Sequence, residues 1–317
     1  MQSSAPITRW NLYVTPAIVI FIGAPVVCYF TYFTSIEENV AVVPKRATYL
    51  PVEVLTGRDT SYNMYGIGEI DANTDKNLHK FIRSMTSRQT PGEPRLAGVP
   101  KRRHYSQIGQ SQLVDKLLKG RRNGVFLECG AADGVAFSNS LFFEMYRNWT
   151  GILIEANPTR LQSLIRQNRN AFVVRSCLSV TSKPQMAKFT MPRGVGGGLS
   201  DSLDNTDIKK FKKWSKSNVL PEIYVQCFPL MSIIEALDIH HIDYLSLDVE
   251  GPEIEILKAV DWTKLTVDVL TIEYNKSVDK LRKLRILFKN IGNYKEVRLM
   301  PSGSSDRGGQ DVVFMRV

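Results

Sequence analysis

From about Ser106 to the C-terminus, two hydrophobic rhythms alternate along the chain. Short apolar runs at 125–128, 151–155, 171–175, 224–228, 243–248 and 267–274 predict strands, most of them buried on both faces. Between them, apolar residues recur at three- and four-residue spacing and predict helices with one inward face. Leu113, Val114, Leu117 and Leu118 mark a lead-in helix, and a second is predicted near 139–146. Leu161, Leu164 and Ile165 mark a helix that starts at Asn157 and Pro158, where the missing proline N–H is harmless. Further helices are predicted over 208–216, 230–238 and from Pro252. A separate helix capped by Ser277 carries Val278, Leu281, Leu284, Phe288 and Ile291 inward and stops at Gly292. Runs 294–299 and 311–316 predict a closing antiparallel pair. Such alternation predicts an α/β domain over 106–317, built on a doubly wound, mostly parallel sheet. A polar, glycine-rich interval, Gly194 through Asp207, interrupts it and is long enough for a mobile lid, a substrate loop or a plain surface loop.

The first third of the chain has neither rhythm. Leu12 to Thr34 carries no charge, and at 23 residues it can cross a hydrocarbon core of about 30 Å. Tyr13, Tyr29, Tyr32 and Phe33 lie toward its ends, where aromatic rings favour the interface. The run is too long for a signal-peptide core, and no Ala-x-Ala site precedes Glu37, which predicts an uncleaved anchor. Residues 1–11 form a short tail, and 35–105 a stalk punctuated by Pro44, Pro51, Pro91, Pro94 and Pro100; within it only Leu78 to Met85 suggests a short helix. Flanking charges nearly tie on the positive-inside count. A short tail ahead of a large domain suits a type II protein with its bulk in the lumen of the secretory pathway. The sequons Asn148-Trp149-Thr150 and Asn275-Lys276-Ser277 would matter only there.

Hydrophobic and charged fractions of 43% and 23% are ordinary for a folded domain, so composition does not narrow the class. The net charge of +10 comes from runs such as Lys101 to His104 and Lys209 to Lys213. These runs lack interleaved aromatics and fit no nucleic-acid module; they are expected to be a solvated face. Cys28, Cys129, Cys177 and Cys227 set no disulfide framework and are expected to be free thiols. No Cys-x-x-Cys or histidine cluster points to zinc.

The chemistry is concentrated at the predicted strand ends. Val125 to Gly134 (VFLECGAADG) runs from an apolar strand through Glu128 into a turn with Gly130 and Gly134; the next strand ends at Glu155. Glycines allow close backbone approach, and a carboxylate ending the second strand suits ribose hydroxyls. The spacing is not Gly-x-Gly-x-x-Gly, and no phosphate-binding lysine follows. The pattern therefore favours a nucleoside without a pyrophosphate, S-adenosylmethionine (SAM), over NAD or ATP. Downstream, Asp248, Glu250, Glu253 and Glu273 lie at or just after strand ends, the edge that faces the ligand crevice. Asp248 or Glu250 could take the proton of a hydroxyl acceptor, or with Glu273 hold a divalent cation. Glu253 and Glu255 suit the first turn of a helix for structural reasons alone.

In this order, FLECGAADG, SNSLFFE, WTGILIEANP, CLS and LSLDVEGPEIEIL resemble the FkbM-type methyltransferase domain over roughly residues 106–317. Within that family the chain is similar to the animal branch named for the protein Star. The resemblance implies a class I SAM-dependent methyltransferase fold, with O-methylation of sugars or polyketides among bacterial members. Glu128, Gly130, Gly134 and Glu155 would then fall in the cofactor pocket, and Asp248 and Glu250 near the acceptor. Ser246 stands where many enzymatic members carry lysine. The Star branch implies a different role, a non-catalytic escort of secretory cargo from the endoplasmic reticulum to the Golgi in EGF-receptor signalling.

Overall fold

A computed structural model describes residues 76–88, 104–192, 196–275, 277–300 and 311–317. The anchor at 12–34 lies outside them. Among the described residues no helix is long and apolar enough to cross a membrane.

In chain order the elements are α1 (Lys76–Ser84), β1 (Thr86–Arg88), α2 (Gln110–Leu117), β2 (Val125–Cys129), α3 (Leu141–Arg147), β3 (Thr150–Ile154), α4 (Pro158–Arg166), β4 (Ala171–Val174) and β5 (Cys177–Leu178). There follow β6 (Gln185–Thr190), β7 (Gly198–Leu199), a 3₁₀ turn (Ser200–Ser202), α5 (Asn205–Ser215), β8 (Glu222–Phe228), α6 (Leu230–Leu237) and β9 (His241–Leu247). The chain closes with α7 (Glu253–Lys258), β10 (Thr266–Glu273), α8 (Val278–Ile291), β11 (Tyr294–Met300) and β12 (Asp311–Arg316).

Eight strands form one sheet in the order β1-β4-β3-β2-β9-β10-β12-β11. β4, β3, β2, β9 and β10 are parallel to one another, whereas β1, β12 and β11 pair antiparallel with their neighbours. The expected doubly wound sheet is present, and so is its closing antiparallel pair. Alternate strand residues feed two cores. Leu127, Ile152 and Leu245 pack with α1, α6, α7 and α8, while Phe126, Leu153 and Tyr244 pack with α2, α3 and α4. From β2 the chain winds outward to β3 and β4, then returns to lay β9 on the other flank of β2. The crevice between the carboxyl ends of β2 and β9 is the switch point where such sheets hold ligands.

Three features depart from the sequence expectations. Residues 76–88, within the expected stalk, form α1 and β1. Leu78 and Ile82 are fully buried, Arg83 Nε donates to the Ala236 carbonyl at 2.7 Å, and β1 pairs with β4. A second sheet, ordered β5-β8-β6-β7, stands beside the first; β6 is too polar and β7 too short to show in the hydrophobic pattern. Cys177 and Cys227, expected as free thiols, form a disulfide: β5 and β8 pair them directly, with Cα atoms 4.3 Å apart. Buried Cys129 remains free.

Candidate active site

The carboxyl ends of β2, β3, β9 and β10 open into a cavity of about 850 Å³, roofed by the second sheet and α5. Of the residues singled out in the sequence, Glu128, Gly130, Glu155, Asp248, Glu250 and Glu273 line it. Gly134 does not. Its φ of +78° opens the turn, and a Cβ there would collide with Leu164 of α4, so this glycine serves helix packing. Gly130 is required for a related reason: a Cβ would run into the Asp248 carbonyl, where the β2 and β9 loops cross.

Glu128 and Glu155 organise the half of the cavity nearer β2 and β3. Glu128 accepts from the Ser138 hydroxyl at 2.9 Å, from the Asn139 amide at 2.7 Å and from the Ser140 hydroxyl, pinning the loop ahead of α3. Buried Arg169 braces the same loop, donating to the Gly134 carbonyl and to Ser140 and pairing with Glu144. Glu155 accepts the amides of Ala132 at 2.6 Å and Asn157 at 2.7 Å, one on each oxygen. Burial nonetheless pushes its carboxyl up to about 7. Each oxygen keeps a further lone pair for a ligand hydroxyl.

The other half is acidic. Oxygens of Asp248, Glu250 and Glu273 lie within 4.8 Å of one another. Burial, followed by repulsion from neighbouring carboxylates, raises Asp248 to about 6, Glu250 to about 7 and Glu273 well above the usual range. Lys210 of α5 enters this cluster and bonds Glu250 Oε2 at 2.7 Å. Burial works against the Lys210 charge, but Glu250, Glu273 and Asp248 outweigh it and hold the ammonium above the ordinary lysine range. The basic run was expected to be solvated; Lys209 and Lys212 are exposed, and Lys210 is not. The three carboxylates have the spacing and oxygen chemistry to take a divalent cation, and an ammonium already meets one of them.

Glu253 is fully buried, accepts the amides of Val249 and Gly251 and pairs with Lys280, so it shapes the loop that presents Asp248 and Glu250. Its role is structural, as expected, although it acts by clamping that loop. Glu250 itself sits at φ +58°, a left-handed conformation uncommon outside glycine, asparagine and aspartate. Ser246, noted in the sequence as a departure from the family pattern, is buried and accepts from Asn139 Nδ2 at 2.9 Å. Asn139, Lys210 and Phe137 line the cavity without having been picked out in the sequence. A second acidic group, His241, Asp243 and Asp268, lies at the opposite, amino-terminal ends of β9 and β10, where Arg121 bonds both carboxylates.

A switch-point crevice with a strand-end glutamate and a glycine turn defines a nucleoside-binding α/β domain. The methyltransferase FkbM domain model matches residues 128–297, and the chain belongs to that family. Among solved structures the chain is similar to methyltransferase FkbM from Methylobacillus flagellatus, at 15% identity over 61% of this chain and 43% of that one, TM-score 0.39. It is similar also to Aeropyrum pernix fibrillarin with natively bound SAM, at 14% identity over 73% and 88%, TM-score 0.37. A third is precorrin-6y C5,15-methyltransferase from Geobacter metallireducens, at 13% over 65% and 87%, TM-score 0.34. No curated protein matches the chain.

The cofactor of this methyltransferase domain is SAM. The cavity fits it chemically. Besides Glu155, three buried polar atoms of cavity-lining residues, Asn139 Oδ1, Ser176 Oγ and Glu273 Oε2, have no hydrogen-bond partner among the described residues. The amide oxygen of Asn139 accepts, and the Ser176 hydroxyl can donate or accept, which suits a ligand that brings an amino group and hydroxyls.

Proposed function

We propose that this chain is a membrane-anchored, SAM-dependent O-methyltransferase whose domain lies on the lumenal side of the secretory pathway. The observation that carries the reading is the sharing of one cavity by Glu155 and the Asp248–Glu250–Glu273 cluster. Bound there, the cofactor supplies an electrophilic methyl group. Glu155 accepts from the ribose hydroxyls with the lone pairs its backbone donors leave free. Glu250 would take the acceptor's hydroxyl proton and so free an oxygen electron pair for the methyl group that a bound sulfonium would supply. A carboxyl held up to about 7 has a proton affinity matched to that task near neutrality. Lys210 keeps Glu250 oriented and limits the charge that builds up as the cluster changes protonation. It also brings to the cluster an ammonium that Ser246 does not supply.

The lumenal placement is supported by the Cys177–Cys227 disulfide, since such bonds persist in oxidising compartments. It is supported too by the exposed side chain of Asn148 in its sequon. Ser246 favours a second reading, a Star-like escort that keeps the fold for binding cargo without catalysis.

Labelled-methyl transfer separates the two. Full-length protein and methyl-labelled SAM should label a secretory-pathway extract in an alkali-stable, ether-like linkage, and Glu250→Gln should abolish the label. A wild-type protein that binds SAM but transfers no label would favour the escort.

A further inference from the structure

Ten non-glycine residues adopt positive φ among the described residues, and seven of them are Asn, Asp or Lys. The other three, Ala132, Phe137 and Glu250, all line the cavity. Phe137 is the least expected of them. A bulky aromatic at φ +62° is strained, because its Cβ crowds the backbone in the left-handed region. The strain wins no burial, for the side chain is 52% exposed. A ring that is both strained and wet works against the stability of the fold it belongs to.

The surrounding loop holds Phe137 in that state. On one side, the amides of Val135 and Ala136 donate to Asp133 Oδ1 at 3.0 and 2.8 Å. On the other, Ser138, Asn139 and Ser140 are tied to Glu128, and Arg169 braces the Gly134 carbonyl and Ser140. Phe137 also bridges to Ser106 of the lead-in segment. With both flanks fixed, the chain between them bulges, and the ring is carried to the cavity rather than back into the core. Backbone strain held by such over-determined surroundings gathers where a ligand is gripped.

We propose that Phe137 is a cofactor-binding residue whose ring forms an aromatic wall against bound SAM. Its strained backbone keeps the ring extended before the ligand arrives. The cofactor offers the complementary surfaces, a flat purine and a sulfonium cation, and either gains from an aromatic face. Binding covers a ring that otherwise stands half exposed. The proposal rests on the reading of this cavity as the SAM site.

The test uses the full-length protein in detergent, with SAM binding by calorimetry and the unfolding temperature measured without ligand. Phe137→Gly relieves the left-handed strain and removes the ring. It should leave the unfolding temperature unchanged or raise it, while weakening SAM binding about tenfold. Phe137→Leu keeps the strain and much of the apolar bulk; it should unfold like wild type and bind SAM several-fold more weakly. Phe137→Gly binding within about twofold of wild type would overturn the proposal, as would a marked fall in its unfolding temperature, which would make the ring part of the fold's packing. A wild-type protein that fails to bind SAM would overturn the cofactor reading itself, and this proposal with it. The wild-type arm therefore tells the two failures apart.

Discussion

The ammonium of Lys210 lies 2.7 Å from Glu250 Oε2, so a residue of the lysine-rich helix α5 supplies counter-charge to the most acidic part of the cavity. The Lys210 ammonium acts on all three carboxylates, and burial leaves those carboxylates holding protons more tightly than usual. Lys210→Met should therefore cost about 1–3 kcal/mol of stability at pH 8, where Glu250 is ionised and loses its charged partner. The cost should shrink near pH 5.5, where a protonated Glu250 needs no partner. Denaturant titrations of wild type and variant at the two pH values check this; an equal loss at both would separate Lys210 from the titration of Glu250.

The same burial sets the pH dependence of the ligand-free protein. Glu155 and Glu250 are raised to about 7, and Asp248 and Asp311 to about 6, against roughly 4 in an unfolded chain. Between those values the folded state binds more protons than the unfolded one, so this contribution falls as pH rises. It is fully present below about pH 4 and lost by about pH 7. The unfolding midpoint should drop between pH 5 and pH 8, and SAM should narrow that drop if its donors meet the ionised carboxylates. A midpoint that rises over this interval would contradict the environment described for these acids.

Cys177 and Cys227 are 50 residues apart, and closing a loop of that size restricts the unfolded chain by about 4 kcal/mol in the entropic account. Replacing both by serine should lower the unfolding free energy by about 2–4 kcal/mol. Because Cys177 lines the cavity, SAM binding should weaken as well. Alkylation of the unreduced, denatured protein should leave these two cysteines unmodified; labelling of both would remove the bond and its support for a lumenal domain.

Asn148 ends α3 in a left-handed conformation, with its side chain exposed and the following Trp149 buried. If the domain enters the secretory pathway, Asn148 should carry a glycan, and Asn148→Gln should remove a glycosidase-sensitive mass shift. A protein purified from secretory membranes with Asn148 wholly unmodified would count against this topology.

The strand-end acids were legible because each lies at or just after the end of an apolar run, and a parallel sheet brings such ends to one edge. Glu155, Asp248, Glu250 and Glu273 were found in this way, and they meet in one cavity. Lys210 was hidden in a run of lysines whose other members face water; only helical phase distinguishes it, and its neighbour Phe211 points into the core. The disulfide was illegible because a strand cysteine looks the same whether free or paired, and pairing depends on strands 50 residues apart meeting in register. Gly134 was misassigned because a glycine demanded by a neighbouring leucine leaves the same mark in a sequence as one demanded by a ligand. In α1, Leu78 and Ile82 alone are buried, so the helical rhythm was short and its attachment to the domain passed unnoticed.

The central claim, that this cavity holds SAM with Glu155 at the ribose, is tested most directly by calorimetry of SAM against three full-length proteins. These are wild type, Glu155→Ala and Glu255→Ala, with unfolding temperatures measured in parallel. Glu255 lies close in sequence to the acidic cluster but is exposed. Wild type and Glu255→Ala should bind alike in the micromolar range, and a folded Glu155→Ala should show no binding at the same concentrations. Undiminished binding by Glu155→Ala, or none by a folded wild type, would contradict the account.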